Sequence, residues 1–344
     1  MRKFNGFEKG INLGGWLSQC SYKEEHLETF ITENDIRVIK NMGADHVRLP
    51  VDYILLEEED GTPCSTGFKY IDRCAGWCRQ YSLNMVLDLH KTAGYAFDEA
   101  KDCSSFFKDN RLQERFLSLW ERLAGRYGNY PDFIAFDLLN EIVDVTVTDI
   151  WNRLASEAVG RIRKYTKDTW ILIGGTCYNS VTTVKDIIMP PDERIVYSVH
   201  FYEPHIFTHQ GACWEEFMPE DFRTAYPLPA GEYLKQSDMV LEKLYSHILG
   251  QFDASLSGKD LLEKLFCEAA EVAEERNVPL YCGEYGVISF AKREYALAWY
   301  HDIHSIFEKY GTARAAWTYK GMDFGITDKN NKDICSKLQD NRIK

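Results

Sequence analysis

Eight short runs rich in β-branched and other apolar residues recur along the chain, separated by longer amphipathic stretches. They are Gly10–Trp16, His46–Val51, Asn84–His90, Phe133–Glu141, Trp170–Gly175, Arg194–Tyr202, Pro279–Val287 and Arg314–Tyr319. Near-continuous apolar runs mark strands buried on both faces, and strands alternating with helices build parallel βαβ units. Eight such units predict an α/β fold, a closed (β/α)8 TIM barrel, and 344 residues suit a single catalytic domain spanning 1–344.

The intervening stretches predict helices over 32–42, 71–81, 111–127, 146–165, 261–276 and 294–310. Thr32 is placed to cap the first of these and Gly43 to stop it. Strand starts are spaced evenly except between the sixth and seventh, which begin at 194 and 279. The excess of about 45–50 residues predicts an inserted subdomain over 207–259, on the face where barrel loops carry function. Helix-like periodicity from Gly231 to Phe252 makes that subdomain helical.

A net charge of −13 with no basic cluster argues against nucleic acid or an anionic membrane surface as partner, because phosphate binding draws on Lys and Arg. No apolar run is long enough to span a bilayer, and the N-terminus lacks the apolar core of a secretory signal. There are ten cysteines but no C-x-x-C, and Cys74, Cys78, Cys177 and Cys282 lie inside strand-like or helix-like runs. They are expected to be reduced core thiols of a cytoplasmic, monomeric protein, or of a secreted one if a signal has been removed.

Residues able to do chemistry gather at the ends of the runs. Arg48 lies in the second, His90 closes the third, Asn140 and Glu141 close the fourth, and His200 and Tyr202 close the sixth. Glu284 lies near the end of the seventh and Trp317 in the eighth. In a barrel these tips meet at one mouth. Two glutamates so placed, with no metal-ligand spacing around them, point to glycosidic-bond hydrolysis without metal or cofactor. Strand parity also lets Arg48 pair with Asp88. His205 and His209 have an i, i+4 spacing but no third ligand, and are read as cleft or surface histidines. Asp35 and the acidic run 57–60 read as solvated acids. Trp16, Tyr22, Tyr95, Phe97, Phe106, Tyr178 and Trp214 are candidates to stack on sugar rings or to fill the core.

The motifs His-Val-Arg-Leu-Pro (46–50), Leu-Asp-Leu-His (87–90), Leu-Asn-Glu (139–141), His-Phe-Tyr (200–202), Gly-Glu-Tyr-Gly (283–286) and Ala-Trp-Thr-Tyr (316–319) together resemble glycoside hydrolase family 5. The stretches 10–19 and 281–287, with the insertion after strand six, resemble its compact clostridial endoglucanase type. One departure is Lys91-Thr-Ala-Gly after His90, where the family usually has His or Asn and then Pro-Gly.

The resemblance implies a retaining endo-β-1,4-glucanase acting on cellulose-like soluble glucans, lichenan and mixed-linkage β-glucan. Glu284 is expected to be the nucleophile, held ionised by Arg48 and Tyr202. Glu141 is the expected acid/base, its pKa raised by the neighbouring negative charge. Arg48, His90, Asn140, His200, Tyr202 and Trp317 are expected to bind substrate. The competing readings are a β-mannanase or exo-β-1,3-glucosidase on the same fold, and a catalytically silent sugar-binding barrel.

Overall fold

The computed structural model of the chain describes residues 1–98, 105–240 and 249–328. Eight parallel strands close into a barrel in chain order. They are β1 (Lys9–Asn12), β2 (His46–Asp52), β3 (Asn84–Lys91), β4 (Ile134–Asp137), β5 (Ile171–Gly174), β6 (Ile195–Phe201), β7 (Leu280–Tyr285) and β8 (Ala313–Ala316). Closure is made by β1 against β8, with Gly10 opposite Ala315.

Several apolar runs outlast their strands. β4 stops at Asp137 and β1 at Asn12, so Asn140, Glu141 and Trp16 lie in loops, and Trp317 follows β8 instead of lying within it. These mouth loops are themselves buried, so their side chains are as apolar as the strands that feed them.

The barrel interior has two ends. At the amino end, Val86, Ala135, Leu172, Val196, Tyr281, Ala313 and Ala315 form an apolar cluster closed from below by Phe4 and Phe7. These two rings stack with centroids 4.3 Å apart. At the carboxyl end the interior is charged.

The helices follow the expected pattern with shifted ends. They span Glu33–Asn41, Ser65–Gln80, Asn110–Tyr127, Thr148–Ile162, Gly258–Glu275 and Arg293–Tyr310. Ser65–Gln80 begins six residues before the predicted start, and Gly67 lies inside its first turn. Gly67 is required there because a Cβ would sit 2.5 Å from the Leu55 carbonyl oxygen. Asp35 is not a solvated acid: its carboxylate accepts from the Thr32 backbone N–H (2.8 Å) and hydroxyl (2.7 Å) in a capping box, and it pairs with Lys320. Glu57 is likewise buried, because Arg115 lies 2.5 Å from it.

Between β6 and Gly258 the chain forms a helical turn (His205–Thr208), an irregular stretch and a helix at Ala230–Val240. The rest of the helix expected from Gly231 to Phe252 falls largely on 241–248, outside the described residues. This segment ties down onto the barrel through Tyr226, whose hydroxyl donates to Asp302 (2.8 Å), and through Thr208, whose carbonyl accepts from Ile288 N–H (2.9 Å).

Among the described residues all cysteines are free; Cys74, Cys78, Cys177 and Cys282 are buried as expected, whereas Cys213 is exposed. No described helix is long and apolar enough to cross a membrane.

Candidate active site

At the carboxyl end of the barrel, Arg48 organises the charge. It is fully buried, and four hydrogen bonds and an ion pair hold its guanidinium within the protein. Nε donates to Asp137 (3.1 Å), Nη1 to Asn12 (3.1 Å) and Glu284 (2.7 Å), and Nη2 to Asn140 (2.9 Å), while Asp88 Oδ2 forms an ion pair with Nη2 at 3.1 Å. Expected as a substrate-binding residue, Arg48 is turned toward the protein's own acids and amides. It positions the groups that do the chemistry, and the pairing with Asp88 is part of the same network.

Glu284, in β7, is held from two sides. Oε1 accepts from Arg48, and Oε2 accepts from the Tyr202 hydroxyl at 2.9 Å. Glu141 stands differently. It lies in the loop after β4 with φ +35°, a left-handed conformation that a non-glycine residue adopts only at a cost of about 1–3 kcal/mol. Tyr95 holds that loop: its hydroxyl donates to the Glu141 carbonyl (2.7 Å) and accepts from Val143 N–H (2.9 Å). Tyr95 is therefore a buried brace of the loop and not a ring-stacking residue.

His200 Nδ1 lies 2.7 Å from Glu141 Oε1 and 3.7 Å from Glu284 Oε2, so it sits between the two acids. Burial pushes Glu141 up to about 8, against the opposing pull of Arg48. The cause is thus desolvation more than the neighbouring negative charge expected from the sequence. Burial also lowers His90 and His200 to about 4, so both imidazoles are neutral near pH 7.

Three buried polar atoms at the mouth have no partner in the protein: Asn140 Nδ2, His90 Nε2 and His200 Nε2. A buried donor or acceptor left unmet costs about 1–3 kcal/mol, so three together mark a place built for a polar ligand. Trp317 closes the floor, packed with Phe324, Ala212 and Ile288 and flanked by Tyr202. Gly14 makes room for it, since a Cβ there would meet the indole at 2.8 Å.

The structure thus brings all eight expected residues into one network. It adds Asn12 and Asp137, which the sequence reading did not place in the site, and bears out the pairing of Asp88 with Arg48. Of the candidate ring-stacking residues, Trp16 and Phe106 are core, and Trp16 donates to the Leu27 carbonyl. Tyr22 donates to Asp52 at 2.5 Å, Phe97 sits edge-on to His90, and Tyr178 is half-buried. Trp214 is 52% exposed beside His209 and Phe324.

His205 and His209 stack 3.9 Å apart, and His205 pairs with Glu215 at 2.6 Å, an acid the local spacing did not reveal. Among the described residues, the one cluster with cation-ligand geometry is Glu141, His200 and Glu284, whose atoms lie within 4.8 Å of one another. Arg48 already places a fixed positive charge 2.7 Å from Glu284, which opposes a second cation there.

A parallel barrel with two carboxylates facing each other across its mouth, one clamped by a guanidinium and one desolvated, is a glycoside hydrolase. Residues 5–323 match the model of the cellulase family, glycosyl hydrolase family 5, and the chain belongs to that family. It is 42% identical over 336 residues to endoglucanase C of Acetivibrio thermocellus, covering 96% of each chain. It is also 42% identical over 314 residues to cellodextrinase A of Ruminococcus flavefaciens, covering 91% of this chain and 86% of that one. The solved structure of endoglucanase Cel5A from Thermotoga maritima shares the fold, with a TM-score of 0.77 at 24% identity and 97% of each chain covered.

Proposed function

We propose that the chain hydrolyses internal β-1,4-glucosidic bonds of soluble and mixed-linkage β-glucans with retention of anomeric configuration. The observation that carries this reading is the approach of Glu141 and Glu284 to within 4.8 Å. Retaining enzymes keep their carboxyls about 5–5.5 Å apart, whereas inverting enzymes need about 6.5–9.5 Å to seat a water.

In the first step Glu284 attacks the anomeric carbon and Glu141 gives its proton to the departing glycosidic oxygen. Glu141 enters this step protonated near pH 7 because of its raised pKa. Arg48 and Tyr202 hold Glu284 from both sides and aim it. In the second step a water attacks the glycosyl-Glu284 ester while Glu141 takes its proton, which restores both groups. Asn140 Nδ2 is the donor available to a sugar hydroxyl next to the reacting carbon, and Trp317 offers its face to the ring C–H groups.

The segment 207–259 is read as one wall of the cleft, presenting Trp214 to the glucan. The relative named as an endoglucanase supports polymer cleavage, and the one named as a cellodextrinase supports a second reading in which short oligosaccharides are preferred. Product analysis by NMR and mass spectrometry on mixed-linkage glucan tests both. The reading expects β-anomers first and fragments of several lengths. Initial α-anomers would overturn retention, and release of one fixed short product from the start would overturn the endo mode.

A further inference from the structure

Asp88 and His90 lie two residues apart on β3 and both point into the barrel. His90 Nδ1 is 2.6 Å from Asp88 Oδ2, and that oxygen is also 3.1 Å from Arg48 Nη2. All three side chains are buried. The imidazole lies parallel to Trp317 with centroids 5.8 Å apart, and Phe97 meets it edge-on at 5.0 Å. A ring packed on two sides and bonded at one nitrogen has its orientation set. What remains to be decided is which nitrogen carries the proton.

A neutral imidazole has one N–H, and the partner of one nitrogen decides the state of the other. Burial pushes Asp88 up to about 7 against the pull of Arg48, so above neutral pH it is an ionised carboxylate that can only accept, which places the proton on Nδ1. Nε2, buried and without a partner in the protein, is then left with a lone pair.

We propose that Asp88 is a positioning residue that holds His90 in its Nδ1–H form, so that Nε2 accepts a hydrogen bond from a sugar hydroxyl at the cleavage point. The role in sugar recognition rests on the glucanase reading; the tautomer does not. The arrangement selects for a hydroxyl that can donate at that position. It also leaves the hydroxyl oxygen free to accept from a second group. Asp88 acts twice, since the oxygen that orients His90 also anchors the cation that holds Glu284.

The test begins with the wild-type protein carrying 15N-labelled histidine, with the His90 resonances identified by their loss in His90→Ala. Above neutral pH the expected spectrum has Nδ1 protonated and Nε2 bare; a protonated Nε2 overturns the proposal. Asp88→Ala should lower kcat/KM on β-glucan by about 10–100-fold, the worth of one buried hydrogen bond. Asp88→Asn, which keeps an acceptor oxygen, should recover most of that loss.

In a His90→Ala background, adding Asp88→Ala should cost several-fold less than it does in the wild type, the remainder being its share through Arg48. An undiminished further loss would mean that Asp88 works through Arg48 alone, which also overturns the proposal. If Asp88→Ala does not fold, the wild-type spectrum and Asp88→Asn carry the test. A wild-type protein without glucanase activity would defeat the functional reading while leaving the tautomer measurement intact.

Discussion

The two ends of the barrel interior are built from the same eight strands on opposite principles. The amino end is filled with Val86, Ala135, Leu172, Val196 and alanines and sealed by Phe4 and Phe7. The carboxyl end buries Arg48, Asp88, Asp137, Glu141, Glu284, His90 and His200 in one chain of polar contacts. Apolar burial stabilises at about 25 cal/mol per Å², whereas buried ions roughly break even against their desolvation at best. One end therefore holds the cylinder together, and the other uses that stability to keep charges where water would otherwise screen them. Catalysis and folding are divided along the strand axis.

Exchanging the two kinds of damage tests this division, and the largest effect belongs to the charged end. Glu284→Gln should reduce glucan hydrolysis by about 10⁴–10⁶-fold, as removal of a nucleophile does elsewhere. It should leave the urea midpoint unchanged or raised, since one buried charge is gone; a large fall in stability with residual activity would erase the distinction. The converse change, Phe4→Ala, should cost about 3–5 kcal/mol of unfolding free energy with kcat within about twofold of wild type. Urea denaturation and steady-state rates on the same samples separate the two.

A third effect is set by pH. Glu141 is protonated in the free enzyme below about 8, so kcat/KM should fall as pH rises through that value, and Glu141→Gln should abolish this limb. Stability should carry the same signature. Between the ordinary carboxylate pKa and about 8 the folded state binds a proton that the unfolded chain has released. Stability therefore falls as pH rises across that window, and the fall should be shallower in Glu141→Gln. A pH-independent difference between wild type and variant would remove Glu141 as the group responsible.

The smallest effect is expected at the rim. Trp214→Ala should raise KM for long glucan about 2–10-fold, the worth of one stacking contact, with little change in stability or in kcat. An equal loss on a short aryl glycoside would place Trp214 at the cleavage point instead of on the outer wall.

The charged end was more legible in the sequence than its supports were. Arg48, His90, Asn140, Glu141, His200, Tyr202, Glu284 and Trp317 lie at or just beyond strand ends, and topology alone brings such positions to one mouth. Strand parity gave the pairing of Asp88 with Arg48, but Asn12 and Asp137 were missed as site residues because they sit inside runs buried on both faces. There a polar residue is visible, but its direction and partners are not. Asn12 donates to Gly283, which is 271 positions away in the chain. Tyr95 looked like a ring for stacking because nothing local announces that its hydroxyl braces a left-handed glutamate.

Glu57 was misread for a similar reason. Its partner Arg115 lies 58 positions away, and no local pattern links them. Strand lengths were overestimated wherever apolar character continues into a buried loop.

The buried guanidinium of Arg48 has one more consequence. Its four acceptors and its ion-pair partner Asp88 come from β1, β3, β4, the loop after β4 and β7, so the cylinder is hooped from within by one planar ion. Breathing that parts any of those staves breaks the hoop and displaces Glu284 or Asn140 in the same movement. Loss of turnover in mild denaturant and the onset of amide exchange in these strands should therefore share a single midpoint.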